Sequence, residues 1–559
     1  MSKNLYLLLL SLFTLSSLQA QLIIIGNVQQ SNINTSGFTV SYTSNPSSTP
    51  VKTYIEYGLT TALELGGATN NQVTTQHSIS LTGLSPASFY YVRPCAINGT
   101  DTTRSPKTYY YSTASNSTGE IKVYFNKSID NTVSNGTFPT ISNSPAAIQA
   151  ALIGLIDSAV TSVDVAVYNN STPAIVTALT NAHNRGVRVR YIADDVTTAN
   201  TALNPAPAFP LLKVNPVNLM HNKFMIIDAD AVNSSYVWTG SMNWTTGNIN
   251  SDFNNVIVIQ DQALAKAYTI EFEEMWGSSG ASPNSGNSKA GSQKSDNTPH
   301  LFIVGGKLVE SYFSPSDLVT AAIEKALLSA GGDLEFALLS FTQDDLGAAV
   351  LNRHNSGEAV KGIIESTGDL GTEFTPLQAA GVAVVADNHS VDIHHKYAII
   401  DANSPGSDPQ VVTGSHNWSN SAADDNDENT LIIHDEEIAN WYLQEFSKRY
   451  CEITGTSGCQ VDPPVSVARI ASAQVETRLY PNPTLGNSSL EIHSMEVLGD
   501  INIQVFNALG QQLYQTQVNT TTYSHNLSLP SSEWPTGTYF VQIINNKQLQ
   551  AVHRLVVGR

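Results

Sequence analysis

The pattern H-x-K-x4-D occurs twice in this chain, as His221-Asn222-Lys223-Phe224-Met225-Ile226-Ile227-Asp228 and as His394-His395-Lys396-Tyr397-Ala398-Ile399-Ile400-Asp401. Each copy runs into an apolar segment. Each is followed by G-S-x-N-W, read as Gly240-Ser241-Met242-Asn243-Trp244 and Gly414-Ser415-His416-Asn417-Trp418, and 11 residues after the Asn stand Asn254 and Glu428. One such octapeptide can arise by chance. Two, trailed by the same second motif at nearly the same offset, mark an internal duplication.

On a strand, residues i and i+2 point to one face, so His and Lys of each H-x-K share a face and the residue between them points away. His395 therefore reads as non-catalytic, and His416, at the x of its G-S-x-N, reads the same way. Two such strands side by side give one pocket with two imidazoles, two ammonium groups and neutral donors from Ser241, Ser415, Asn243 and Asn417. That inventory suits a phosphate: Lys223 and Lys396 supply charge, and the Ser and Asn groups complete the cradle. One imidazole attacks phosphorus and the other serves as acid and then base. No metal or other cofactor is required, because the lysines already bring the positive charge. Trp244 and Trp418 read as packing beneath the site rather than stacking on a substrate.

This constellation is similar to that of the phospholipase D superfamily, over about 335 residues. The resemblance implies two α/β/α sandwich halves with the site between them and a phosphohistidine intermediate. It also implies that the acidic residue 11 positions after the Asn orients its histidine, with Asp228 and Asp401 as structural supports beside Gly240 and Gly414. Here Glu428 fits that pattern and Asn254 departs from it. A carboxylate partner favours imidazolium and an amide does not. The expected division is His221 as neutral nucleophile and His394, paired with Glu428, as general acid, with Asn255 and Asp252 as other possible partners in the first half.

The rest of the chain divides around this repeat into a multidomain arrangement, with an α/β centre between N- and C-terminal β-sandwiches. Residues 1–20, with Lys3, an apolar run from Leu5 to Leu18 and Ala20, have the layout of a signal peptide, too short to span a bilayer. Residues 21–115 carry short alternating runs such as Gly37–Tyr42 and Lys52–Tyr57. Leu84, Pro86, Tyr90 and Tyr91-Val92-Arg93 resemble the tyrosine corner of a fibronectin type III domain. Helical and strand periods then alternate, with helices at Pro145–Val160 and Thr172–Arg185 and strands at Val163–Tyr168 and Val187–Ile192. The first half is expected over 118–278 and the second over 299–455, joined by a flexible Ser, Gly and Asn-rich linker at 279–298. A second linker is expected at 456–475. Residues 476–559, with Tyr480-Pro481-Asn482-Pro483, Val505-Phe506-Asn507, Gly510-Gln511 and Gly537-Thr538-Tyr539-Phe540-Val541, resemble the C-terminal sorting domain of type IX secretion. The implied destination is the cell surface or beyond, and the secretion machinery is an implied partner. Export makes a Cys451–Cys459 bridge possible, with Cys95 unpaired; three free buried thiols are the alternative.

Charge narrows the substrate. Residues 116–455 hold 17 Lys and Arg against 38 Asp and Glu, a net −21, whereas the whole chain carries −20. A polyanion is normally held by a basic stripe, and none is visible, which disfavours a nuclease. A phosphatidyl transferase would be expected to carry membrane segments, and an adhesin without activity would not need both complete motifs. The preferred reading is a secreted phosphodiesterase of phospholipase D type acting on phospholipid headgroups, in transient contact with a membrane surface. No obligate oligomer is implied, since both motifs lie in one chain. Asp424-Asp425-Asn426-Asp427 reads as a solvated acidic loop rather than a calcium site.

Overall fold

The computed structural model describes residues 24–45, 50–455 and 475–558, apart from 100, 137, 139–140, 142, 196–197, 215–218, 405, 481–483, 485, 495–498, 508–510, 521–523 and 546–547. The expected signal peptide, residues 456–474 of the expected 456–475 linker, and Cys459 of the proposed bridge lie outside the described residues, and Val475 opens a strand instead.

Local sequence places the helices. Ser144 caps the helix Pro145–Ser158 by accepting from the Ala147 N–H, Pro145 fits its first turn, and Ile148, Leu152 and Ile156 recur at four-residue intervals on one buried stripe. Truncating Leu152 to Ala would cost about 2–5 kcal/mol. The last helix of each half follows one plan. Asp261 and Asp435 cap Gln262–Trp276 and Glu436–Thr454, and left-handed Gly277 and Gly455 end them.

The strands form two sheets of the same topology. The first runs 121–125, 255–259, 236–240, 223–227, 162–167, 188–194, 211–214, and the second 307–314, 428–434, 410–414, 396–400, 333–338, 359–364, 383–386, with 301–304 added at its edge. Central strands such as Lys223–Ile227 and Lys396–Ile400 are buried along their whole length, as strands covered by helices on both faces must be. Each sheet has a private core, one around Leu152 and Trp244, the other around Phe336 and Trp418. A third core lies between the halves and joins Phe224, Tyr268 and Phe272 to Phe313, Tyr397 and Tyr442. The helices Gln262–Trp276 and Glu436–Thr454 both contribute to it.

An N-terminal β-sandwich pairs the strands Ile24–Asn34, Gly37–Asn45 and Gln76–Thr82 in one sheet, with Val51–Gly58 and Phe89–Asn98 in the other. The Tyr90 hydroxyl accepts from the Ser85 N–H. This sandwich is seated on the α/β body: Ser112 Oγ donates to the Leu301 carbonyl at 3.3 Å and Lys266 Nζ to that of Ala87 at 3.2 Å. The C-terminal sandwich packs Leu490, Ile492, Ile503, Val541 and Leu555 between its two sheets.

The segment 279–298 departs from the flexible linker expected. It is tied to the end of the preceding helix, where Asn284 N donates to the Trp276 carbonyl, Lys289 N to that of Glu274, and Ser288 Oγ to that of Met275 at 2.6 Å. Its small polar residues satisfy carbonyls that a helix C-terminus leaves unpaired. Lys294 within it is buried.

Candidate active site

The two halves exchange backbone where the His strands begin. Met220 forms a parallel bridge with Asp427, and Ile393 forms one with Phe253. His221 N donates to the Asp427 carbonyl at 2.9 Å and His394 N to that of Phe253 at 3.0 Å. Asp427 and Phe253 immediately precede Glu428 and Asn254, so the crossing lays each of these beside the histidine of the other half. A carboxylate anchors each crossing: the Met220 N–H donates to Asp194 at 3.0 Å and the Ile393 N–H to Glu365 at 2.8 Å.

The side-chain partners are accordingly exchanged relative to expectation. His221 Nδ1 lies 2.8 and 2.9 Å from the two oxygens of Glu428, and His394 Nδ1 lies 2.9 Å from Asn254 Oδ1. The pairing of His394 with Glu428 expected from sequence is wrong, because the offset of 11 was read within one half and the contact is made between halves. Asn255 and Asp252 are not the partners either. Asn255 donates to Thr413 Oγ1 and the Tyr442 hydroxyl, and Asp252 accepts from Asn248.

Hydrogen-bond geometry assigns the His394 proton. Asn254 Nδ2 donates to the Asn248 carbonyl at 3.1 Å, which turns its Oδ1 toward His394, and an amide oxygen only accepts. Nδ1 of His394 therefore carries a proton and leaves Nε2 for chemistry.

Ser241 and Ser415 were expected to reach the phosphate, and they act elsewhere. Ser241 Oγ donates to Asn254 Oδ1 at 2.8 Å and accepts the Asn255 N–H; Ser415 Oγ accepts the Asn429 N–H and its side chain also bonds Glu428. Both serines hold the histidines' partners in place. The preceding glycines let the strands close: a Cβ on Gly240 would meet the Asn255 carbonyl oxygen at 2.3 Å and one on Gly414 that of Asn429 at 2.1 Å, with φ of +143° and +148°. Asn243 and Asn417 keep buried amide oxygens without a hydrogen-bond partner among the described residues.

Lys223 Nζ donates to the His221 carbonyl at 2.7 Å and Lys396 Nζ to that of His394 at 3.0 Å, and all four side chains are buried. The pairs feel one another. Burial first, then both lysines, holds His221 and His394 well below the ordinary histidine range. Burial lowers Lys223 to about 7, against an opposing pull from Glu428, and burial together with Lys223 takes Lys396 well down. Burial pushes Glu428 up to about 7. A dry pocket that resists the charge of its own cations gains most when an anion enters and restores it.

Asp228 and Asp401 lie at the far ends of the His strands. The Asp228 carboxylate accepts the N–H groups of Val160, Thr161 and Ser162, and that of Asp401 those of Gly331, Gly332 and Asp333. Trp244 and Trp418 are fully buried. His395 turns away to Glu445 at 3.1 Å. His416 is buried with neither ring nitrogen hydrogen-bonded among the described residues; burial lowers it to about 4, and Glu428 and His221 also act on it, so it is nearer the site than expected. Asn426 and Asp427 are buried too, so only the first part of the acidic loop faces solvent. Sequence reading missed Tyr168, whose ring meets His221 edge to face at 5.0 Å with Lys223 Nζ 5.5 Å from its centroid. Its one available signal was its place at the end of a central strand.

Residues 152–276 and 323–450 match the family described as "Cardiolipin synthase, PLD-like domain", and residues 478–558 match "Secretion system C-terminal sorting domain". Among curated proteins, the mitochondrial cardiolipin hydrolase of Canis lupus familiaris is 35% identical over 134 residues, 24% of this chain and 50% of that protein. The one from Xenopus tropicalis is 38% identical over 128 residues, 22% and 58% respectively. The chain spans about half the length of these curated relatives. Among solved structures, the phosphatidylserine synthase of Haemophilus influenzae aligns over 60% of this chain and 89% of its own, at 13% identity and a TM-score of 0.42.

Proposed function

On the premise that this chain carries a duplicated phospholipase D-like domain and a type IX C-terminal sorting domain, we propose that it is an exported phosphodiesterase hydrolysing phospholipid headgroups through a phosphohistidine. The sorting domain directs it through the type IX secretion system to the cell surface or beyond. The observation that carries the reading is the convergence of two buried His–Lys pairs, each imidazole held at Nδ1 by a residue of the opposite half.

The reaction follows from that geometry. A diester phosphate enters between Lys223 and Lys396, with Asn243 and Asn417 beside its non-bridging oxygens. Its negative charge works against the burial and the two lysines that depress His394, which then takes a proton at Nε2. His221 Nε2 attacks phosphorus, the bond to the headgroup oxygen breaks, and that oxygen receives the His394 proton. The imidazolium so formed on His221 keeps Glu428 as its counter-ion throughout the covalent intermediate. His394, held by a neutral amide, then takes a proton from water, which attacks phosphorus and releases His221 and phosphatidate. His221 remains the nucleophile of the sequence-based expectation, with a different partner and for a different reason.

The net −21 of residues 116–455 supports a lipid over a nucleic acid, as does the match to a family named for cardiolipin synthase. The test is mass spectrometry of mixed phospholipid vesicles incubated with the protein and ethanol. Phosphatidate and phosphatidylethanol are expected, and neither with His221→Ala or His394→Ala. Intact lipids alongside cleaved DNA would replace the lipid reading with a nuclease.

A further inference from the structure

Between the halves, the segment that holds Lys294 crosses beneath the Glu428 side of the site. Lys294 Nζ donates to Glu271 Oε1 at 2.5 Å and to the Ser314 carbonyl at 2.6 Å, and it lies 3.2 Å from Asp427 Oδ1. Its ammonium and both carboxylates are almost completely shielded from solvent. Burial would strip a lone lysine of its charge, and the two carboxylates outweigh that.

Two of these three contacts adjoin Glu428. Asp427 precedes it in the chain, and the Asp427 carbonyl accepts the His221 N–H. Ser314 stands directly opposite Glu428 in the strand ladder. Glu271 belongs to the last helix of the first half. The same segment holds Asp427 a second time, through the Gly291 N–H at 2.7 Å from Oδ1.

The other histidine is supported differently. Phe253 stands where Asp427 does, and Arg449 lies over its ring at 4.4 Å while pairing with Glu445, the counterpart of Glu271. Arg449 is a buried cation as well, with Glu452 at 2.7 Å as its second carboxylate. The residue it covers beside Asn254 is the neutral Phe253, however, whereas Lys294 pairs with a carboxylate, Asp427, directly beside Glu428.

We propose that Lys294 is a positioning residue, and that the segment joining the halves is a strap that fixes Glu428 against His221. This rests on the reading of His221 as the reacting group. Lys294 neutralises Asp427, which would otherwise face Glu428 as a second buried anion. The other groups bearing on Glu428 are His221 and Lys223 from one His strand, Lys396 from the other, and Ser415 and His416 from the G-S-x-N loop.

The test is hydrolysis of bis(p-nitrophenyl) phosphate by the full chain across pH, with melting curves to confirm folding. In Lys294→Met the uncompensated Asp427 makes Glu428 harder to ionise. The acidic limb of the rate profile should move to higher pH, and kcat should fall about tenfold or more with KM little changed. Asp427→Asn preserves shape and removes the second anion, so its acidic limb should move to lower pH. It decides the question if Lys294→Met does not fold. Folded Lys294→Met with wild-type kcat and profile, or Asp427→Asn with an unmoved limb, overturns the inference. Wild-type protein inert toward this diester and toward lipid vesicles overturns the functional reading, and the inference with it.

Discussion

His221 and Glu428 stand 207 residues apart in sequence, in different halves, with Nδ1 at 2.8 and 2.9 Å from the two carboxylate oxygens. The pair is made by the backbone bridge between Met220 and Asp427, which carries each neighbour into register. Duplication alone would have yielded two equal histidines. The exchange of partners, with an acid on one side and an amide on the other, makes them unequal.

Glu428→Gln should keep the fold and remove the carboxylate that would act as counter-ion to the proposed phosphorylated imidazole of His221. We expect kcat to fall by about 10²–10⁴, with KM changed far less. Steady-state kinetics on a soluble diester measures this. A Glu428→Gln enzyme within a fewfold of wild type would mean that the carboxylate does not stabilise the intermediate.

Asp401→Asn and Asp228→Asn should behave quite differently. Each replaces an oxygen among three backbone N–H donors with an amide that cannot satisfy all of them. Leaving a buried donor unpaired costs about 1–3 kcal/mol. Chemical denaturation should show that loss, while the pH-rate profile of the folded fraction stays in place. A stable Asp401→Asn protein with a collapsed kcat would assign this residue to chemistry instead.

What the sequence could tell about the site ended where one half meets the other. The spacing of His221 and Lys223 on a strand put both on one face, and the repeat supplied their counterparts. No spacing within a half encodes the bridge between Met220 and Asp427, so the histidine partners were read one half out of place. Composition misled at 279–298 for a related reason. Ser, Gly and Asn look alike whether they face water or, as Ser288 does, cap a helix carbonyl, and a single Lys294 does not reveal that Glu271 and Asp427 wait for it. The serines of G-S-x-N were likewise placed in the pocket because a hydroxyl suits a phosphate, whereas Asn254 and Glu428 had first claim on them.

Away from the site, His434 donates to both Asp408 and Glu310. Burial would lower its pKa, but the two carboxylates outweigh burial and raise it to about 9 from 6.5. A pKa raised by folding means that stability is present in full below 6.5 and is lost as pH rises through about 9. Melting temperatures of wild type and His434→Gln should therefore differ most near neutrality and below, and converge on the alkaline side. A constant gap across that range would show that protonation of His434 does not stabilise the fold.

Asn254→Asp supplies the carboxylate that the first half lacks. It puts a negative charge against His394 Nδ1, where Asn254 Oδ1 now accepts at 2.9 Å, and a carboxylate partner favours imidazolium. His394 should then hold its Nε2 proton to higher pH. If it is the general acid, the alkaline limb of the rate profile moves up by about one unit. Ser241 can still donate to the new carboxylate, but the donation from Asn254 Nδ2 to the Asn248 carbonyl is lost, so a drop of about 1–3 kcal/mol in stability should accompany the shift. Rapid quenching into alkaline denaturant during turnover should find the phosphoryl group on His221 in both proteins. Its appearance on His394 would reverse the two roles, and the amide at Asn254 would then be holding the nucleophile.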